Sequence, residues 1–247
     1  MSDMADYEEK ARNAIKAFWG VKDAATKAQI ERGVQDVGSR GAVTAGKHLD
    51  AFVPLFKDVA NGHGLKGLEF HLGRQVPVLP GYFRPTKEWD LIITHRKLLV
   101  AVFELKSIGS SFGNNMNNRS EEAIGAAHDF WTAFREGAFG KDVPPPFLGW
   151  LMIMRDCTGS TSPVRVKEQH FPVFPEFQGA SYAQRCDILC RRLVQEKLYT
   201  ATALMLTPDE AGKETGEFRQ LSDTGSFRRF IATFAGHMTG LAAGARS

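Results

Sequence analysis

The sequence predicts an α/β fold in which a mixed β-sheet is flanked by helices. Three observations predict it. The stretch Trp89–Lys106 holds two β-rich runs, Leu91–Thr94 and Leu98–Leu105, around the polar break His95-Arg96-Lys97. That is the pattern of a hairpin between two largely buried strands. The run Phe147–Met154 is apolar on both faces, as in a strand covered on both sides. Helical periodicity precedes, separates and follows these runs, so the middle of the chain reads helix, strand, strand, strand, helix, strand.

Taken in order, Asp3–Trp19 is predicted helical, with Tyr7, Ala11, Ala14, Ile15 and Phe18 on one face. Lys22–Arg32 is a polar stretch that can continue it, and the glycines of Gly33–Gly41 read as a loop. Thr44–Asn61 resumes a helical pattern through Leu49, Phe52, Val53, Phe56 and Val59, with Pro54 expected to bend it and Gly62 to end it. Leu68–Leu72 and Val76–Leu79 suit short strands, and Pro80–Pro85 is a turn-rich bridge into the hairpin. Ser107–Asn118 reads as a loop, because its glycines and the asparagines 114, 115, 117 and 118 suit turn geometry. The helix predicted over Arg119–Ala138 carries a stripe of Ile124, Ala127, Trp131, Phe134 and Ala138, with His128 and Asp129 off it. Beyond the Pro144–Pro146 linker and the Phe147 strand come a loop-rich stretch, Asp156–Pro175, and a helix, Ser181–Lys197. A strand, Thr200–Leu206, a turn-like segment, Pro208–Glu217, and a last helix, Phe227–Leu241, complete the chain.

The central stretch also carries chemistry. Glu104 and Lys106 are two apart, so on a strand they share a face. A hairpin folds Asp90, which opens the first strand, back towards them. Two carboxylates and an ammonium then converge at one end of an apolar sheet. Carboxylate oxygens are the ligands Mg²⁺ prefers, and a neighbouring lysine can hold or help deprotonate an attacking water, the outline of a metal-dependent phosphodiesterase. The plainer reading is a pair of charges bracing a strand end; the same Glu-x-Lys spacing recurs at Glu8–Lys10 on a solvated helix face. Against it, Glu104 follows the run Leu98–Phe103, where a charge needs a partner or a metal.

Hydrophobic residues make up 43% and charged residues 24% of the 247, an ordinary globular composition. The length suits one domain: a helical part over about 1–62, a catalytic core over about 63–206 and a helical part over 207–247. A net charge of +3 allows a DNA partner without demanding one. The three cysteines, Cys157, Cys186 and Cys190, form no disulfide or zinc framework. The acidic N-terminus has no apolar h-region and Phe147–Met154 is too short to cross a bilayer, so a cytoplasmic protein is expected.

Three longer blocks carry a family resemblance. They are Arg40–Phe52 (RGAVTAGKHLDAF), Leu79–Leu91 (LPGYFRPTKEWDL) and the segment from Phe112 through the asparagine tract to Gly140. On them the chain resembles the XhoI-type restriction endonucleases of the wider PD-(D/E)XK nuclease superfamily, over nearly its whole length. The resemblance implies a PD-(D/E)XK core, with Asp90 and Glu104 as the metal carboxylates, the Leu105 carbonyl as a further ligand and Lys106 as the catalytic lysine. The family's leading proline is missing: Trp89 precedes Asp90, and the nearest proline is Pro85. The superfamily's additional acid from the preceding helix would be Asp50 or, second, Glu69. The resemblance further implies Mg²⁺-dependent cleavage of double-stranded DNA at CTCGAG after the first C, leaving 5′-phosphates, by a homodimer with a companion DNA methyltransferase. Arg40, Lys47, Arg84, Lys87, Asn114, Asn115, Asn117, Asn118 and Arg119 are the DNA-binding candidates, and the asparagine loop is expected to order on the duplex. A repair or junction-resolving nuclease on the same core, and a DNA-binding protein that has lost cleavage, are the alternatives.

Overall fold

The polar break of the central hairpin is a two-residue turn. Arg96 and Lys97 both take left-handed backbone conformations, with φ of 48° and 69°. That geometry matches the twist of the strands on either side. The computed structural model describes residues 4–31, 50–73 and 77–245. Arg40, Lys47 and the loop expected over Gly33–Gly41 lie outside them.

In chain order, α1 (Met4–Glu31) is followed by a 3₁₀ turn (Asp50–Phe52), α2 (Val53–Asn61), β1 (Leu68–His71), β2 (Val78–Pro80) and β3 (Thr86–Glu88). The hairpin strands β4 (Leu91–His95) and β5 (Leu98–Ile108) come next, then α3 (Phe112–Arg135), β6 (Phe147–Arg155), α4 (Thr158–Thr161) and α5 (Tyr182–Gln195). The chain closes with β7 (Ala201–Thr207), α6 (Asp209–Glu214) and α7 (Phe227–Gly244). Five strands form one sheet in the order β1-β4-β5-β6-β7, and β2 and β3 form a separate ribbon. The pairs β1–β4 and β4–β5 are antiparallel, whereas β5–β6 and β6–β7 are parallel. Parallel neighbours need crossovers, and α3 and α5 supply them. The mixed sheet flanked by helices that the sequence predicts is therefore the observed architecture.

Strand alternation sorts the core onto two faces. Phe103 and Leu105 pack with Phe56 of α2, Ile15 and Phe18 of α1, and Phe230 and Phe234 of α7. Val102 and Ile108 point the other way, among Trp89, Trp150, Tyr199 and the inner faces of α3 and α5. The free edge of β7 is covered: Leu206 and Arg219 exchange backbone hydrogen bonds of 2.9 and 2.8 Å, and Leu204 N–H donates to the Gly225 carbonyl. Among the described residues, no helix is long and apolar enough to cross a membrane.

The structure corrects several sequence expectations. Ser107–Asn118 is not a loop: β5 runs to Ile108 and α3 begins at Phe112. Asparagine is a weak helix former, but two of these side chains bond locally, one to the chain just before the helix and one within it. Asn115 Nδ2 donates to the Ser110 carbonyl at 2.7 Å, and Asn117 Nδ2 donates to Glu121 Oε1, four residues on, at 2.9 Å. Phe112 stacks on Tyr182 and Met116 is buried, so an apolar face already runs through the tract. The stripe of α3 also lies one step round from prediction. Ala123, Ala126, Ala127, Phe130 and Ala133 are buried, Ile124 is 47% exposed and Ala138 is beyond the helix. Pro54 sits in the first turn of α2, where its missing N–H has no partner to lose, so it starts the helix rather than bending it. The turn-rich bridge Pro80–Pro85 is followed by a strand the sequence did not predict, β3, and the polar segment after Pro208 forms α6, whose first turn holds Asp209 and Glu210.

One fold contact has a pH signature. His237 Nε2–H donates to the Val100 carbonyl at 3.0 Å, and burial holds its pKa below the ordinary 6.5. In the unfolded chain the imidazole takes up its proton at the ordinary pKa, before the folded protein does. Its contribution to stability is therefore present above about 6.5 and is lost as pH falls through the folded pKa. His237→Gln is expected to flatten that acid limb of Tm against pH; an unchanged slope would show that other groups set it.

Candidate active site

Extending the β4–β5 register past Leu91–Phe103 puts Asp90 beside Glu104. Asp90 N–H donates to the Phe103 carbonyl at 3.2 Å, and its carboxylate Oδ2 accepts the Leu105 N–H at 2.6 Å. Glu104 points to the α3 side of the sheet and is only 2% exposed. Its Oε1 accepts from both Lys106 Nζ and Lys87 Nζ at 3.0 Å, and its Oε2 accepts from the Tyr199 hydroxyl at 2.9 Å. That hydroxyl also faces the Ala123 carbonyl at 3.3 Å. It has one proton, which goes to the nearer, charged acceptor.

Charge states follow from this geometry. Burial alone would raise the Glu104 pKa, but the ammonium groups of Lys106 and Lys87 outweigh it and hold the carboxyl below the usual range. Burial would likewise depress Lys106, yet Glu104 and Asp90 keep it above its ordinary value, so it is a cation and a donor. Burial raises Asp90 despite Lys106 nearby, because no cation bonds its carboxylate directly. Tyr199 is pushed well up by burial and by the Glu104 charge, so it stays a neutral donor.

Glu104, Lys106 and Lys87 open onto a cavity of about 350 Å³ that is also lined by Arg84, Arg119, Glu121 and Glu122; Asp90 and Tyr199 flank Glu104 without lining it. Its four cations outnumber its three carboxylates, which suits a phosphate chain rather than a neutral ligand. A larger hollow of about 630 Å³ lies between α3 and α5, but Met116, Ile124, Leu189 and Leu193 make it apolar and it holds none of the convergent charge. Size does not mark the site here; chemistry does.

The donor set fits a hard divalent cation. Among the described residues Asp90 Oδ1 receives no hydrogen bond, and Glu104 retains acceptor capacity beyond its three donors. Among the described residues no group of three or more His, Cys, Asp or Glu side chains could hold a metal. A cation here would rest on two carboxylates and complete its shell with backbone, water or phosphate oxygens, as Mg²⁺ commonly does. Asp90, with a raised pKa and no cationic partner, is the group a bound cation would relieve most.

The structure thus brings Asp90, Glu104 and Lys106 together. It adds Lys87, which packs its ammonium over the Trp89 ring at 4.1 Å, to the same node. Arg84 and Arg119 reach the cavity, and the buried Arg119 Nε has no hydrogen-bond partner among the described residues. None of Asn114, Asn115, Asn117 and Asn118 lines it. Asp50 is exposed in its 3₁₀ turn and Glu69 is exposed on β1 opposite Thr94, and neither lines the cavity. Sequence reasoning missed Tyr199, which is 95 residues from Glu104. It also missed Asp129, an acid three residues after buried Ala126 and four before buried Ala133. That placement inside an apolar stripe was a legible signal.

Comparison with known proteins identifies the family. A family model described as restriction endonuclease XhoI matches residues 28–220, a span that includes every cavity residue. The chain is 44% identical over 208 residues to the type II restriction enzyme XhoI of Xanthomonas vasicola, covering 83% of each chain. It is 47% identical over 184 residues to the type II restriction enzyme BstVI of Geobacillus stearothermophilus, covering 72% of this chain and 81% of that one. It is 49% identical over 170 residues to the type II restriction enzyme AbrI of Azospirillum brasilense, covering 68% of this chain and 76% of that one. No solved structure matches the chain significantly. With its fold, its charged cavity and these relatives in agreement, the chain belongs to the XhoI restriction endonuclease family and is an enzyme of the type II restriction class.

Proposed function

We propose that this enzyme cleaves both strands of duplex DNA at a palindrome, with Mg²⁺ as cofactor. The convergence of Asp90, Glu104 and Lys106 under a cationic cavity supports this reading most directly. Asp90 and Glu104 would hold the cation, with the Leu105 carbonyl as a further ligand. When bound, Mg²⁺ supplies electrostatic stabilisation of the charge that builds on the phosphate and the leaving 3′ oxygen. Lys106 donates to the attacking water and orients it, a role suited to an ammonium held charged by its neighbours. Lys87 and Tyr199 fix the Glu104 carboxylate from either side. Arg84 and Arg119 seat the phosphate chain. Asp50 or Glu69 would complete the site only by approaching it when DNA is bound.

The family resemblance supports CTCGAG as the site, cut after the first C to leave 5′-phosphates. A palindrome calls for a two-fold dimer, and a host would need a companion methyltransferase to protect its own DNA. Purified protein incubated with phage DNA and Mg²⁺ should give discrete fragments, and EDTA should stop their formation. A smear would favour a repair-type or junction-resolving nuclease, and a gel shift without cutting would favour a binder. Asp90→Asn and Lys106→Ala should each lose at least about 100-fold in cleavage rate while keeping a native circular dichroism spectrum. A collapsed spectrum would instead make these charges strand braces.

A further inference from the structure

The loop between β2 and β3 is held by one residue that cleavage does not use. Asp129 of α3 is 2% exposed, yet among the described residues its carboxylate bonds go to this loop. Its Oδ1 accepts the backbone N–H groups of Tyr82 and Phe83 at 2.8 and 2.7 Å, and its Oδ2 accepts from Arg84 Nε at 2.9 Å. Two consecutive N–H groups aimed at one buried carboxylate fix the backbone, and the guanidinium offsets the buried charge. Gly81 permits the approach, since a Cβ there would lie 2.5 Å from Asp129 Oδ2.

What this anchoring displays is unusual. Tyr82 and Phe83 are 54% and 65% exposed, on a loop whose backbone is tied to the core. Phe83 stacks on His128, with centroids 5.6 Å apart and planes 17° apart, and Tyr82 meets Phe83 edge-on at 5.0 Å. Folding gains little from rings left in water. The next residue, Arg84, lines the catalytic cavity, and the following strand β3 carries Lys87 to Glu104. The rings therefore adjoin a cationic phosphate seat, where the nearest apolar surface on a duplex is its bases.

We propose that Gly81–Arg84 is a preformed DNA-contact loop, in which Arg84 takes a backbone phosphate and Tyr82 and Phe83 meet the bases beside it, with Asp129 as its positioning residue. The proposal rests on the DNA-cleavage reading above. It gives separate signatures to the two kinds of contact. A phosphate contact releases counterions and contributes about 0.9 to the slope of log K against log salt. Aromatic contact with bases contributes affinity without changing that slope.

The test measures anisotropy of a labelled CTCGAG duplex over a salt series, in a Glu104→Gln background that holds the substrate uncut. Tyr82→Ala with Phe83→Ala should weaken binding about ten- to hundredfold at unchanged slope, and Phe83→Trp should restore much of it. Arg84→Ala should flatten the slope by about one phosphate contact. Asp129→Asn, assayed well below its melting temperature, should do both, which a loss of stability alone would not. Affinity unchanged by removal of both rings, or a loss explained by failed self-association in sedimentation, would overturn the proposal. Wild-type protein that neither binds nor cuts any duplex would instead remove the underlying reading.

Discussion

Glu104→Ala is expected to lose at least two to three orders of magnitude in cleavage rate while retaining DNA affinity. The substitution removes half of the carboxylate pair and leaves Lys87, Lys106 and the Tyr199 hydroxyl without their shared acceptor. Losing one partner of a buried ion pair can destabilise by about 3–5 kcal/mol. The cost here should be smaller, because both lysines line the cavity and can turn their ammonium groups to water. Binding survives because Arg84, Lys87, Lys106 and Arg119 still face the phosphates, with one repelling charge fewer. Glu104→Gln separates charge from shape: it preserves volume and should be as inactive, with less loss of stability. Fragment assays, gel shifts and melting curves on both variants read the three effects independently. Cleavage near the wild-type rate in either would remove Glu104 from the reaction.

Phe103→Ala should produce the largest loss of stability, about 3–5 kcal/mol in denaturant titration. Phe103 is fully buried on the face opposite Glu104. Its ring stacks on Phe56 at 4.5 Å, meets Phe234 edge-on at 5.0 Å and touches Phe147 and Phe230 at 5.5 and 6.1 Å. Helices from both ends of the chain close on that ring, so a void there cannot collapse by shifting one side chain. Below its midpoint the variant should still cut DNA, since the void opens away from the face that carries Glu104. A loss under about 1 kcal/mol would mean that α2 and α7 can move in to fill it.

The hairpin and its triad were legible because their signals are local. Runs such as Leu98–Phe103 flank a polar break, and alternation alone puts Glu104 and Lys106 on one face. The start of α3 was not, because asparagine propensity speaks for a turn while the apolar spacing from Phe112 to Met116 and on to Ala123 speaks for a helix. Tertiary packing decided for the latter. Lys87 was named as a DNA contact for its nearness in sequence, but its ion pair with Glu104 depends on the ribbon formed by β2 and β3. Tyr199 carries no pattern of its own; it reaches Glu104 only because the crossover through α5 returns the chain beside β6.

The covered edge of β7 bears on assembly. An open β-edge invites a second copy to join strand to strand and extend the sheet. Here residues near Arg219 and Gly225 already occupy the outward hydrogen-bonding groups of Leu204 and Leu206. A two-fold enzyme built on this chain therefore cannot form a continuous sheet through β7. The symmetry axis of such a dimer would have to pass through other surfaces, the opposite edge strand β1 among them.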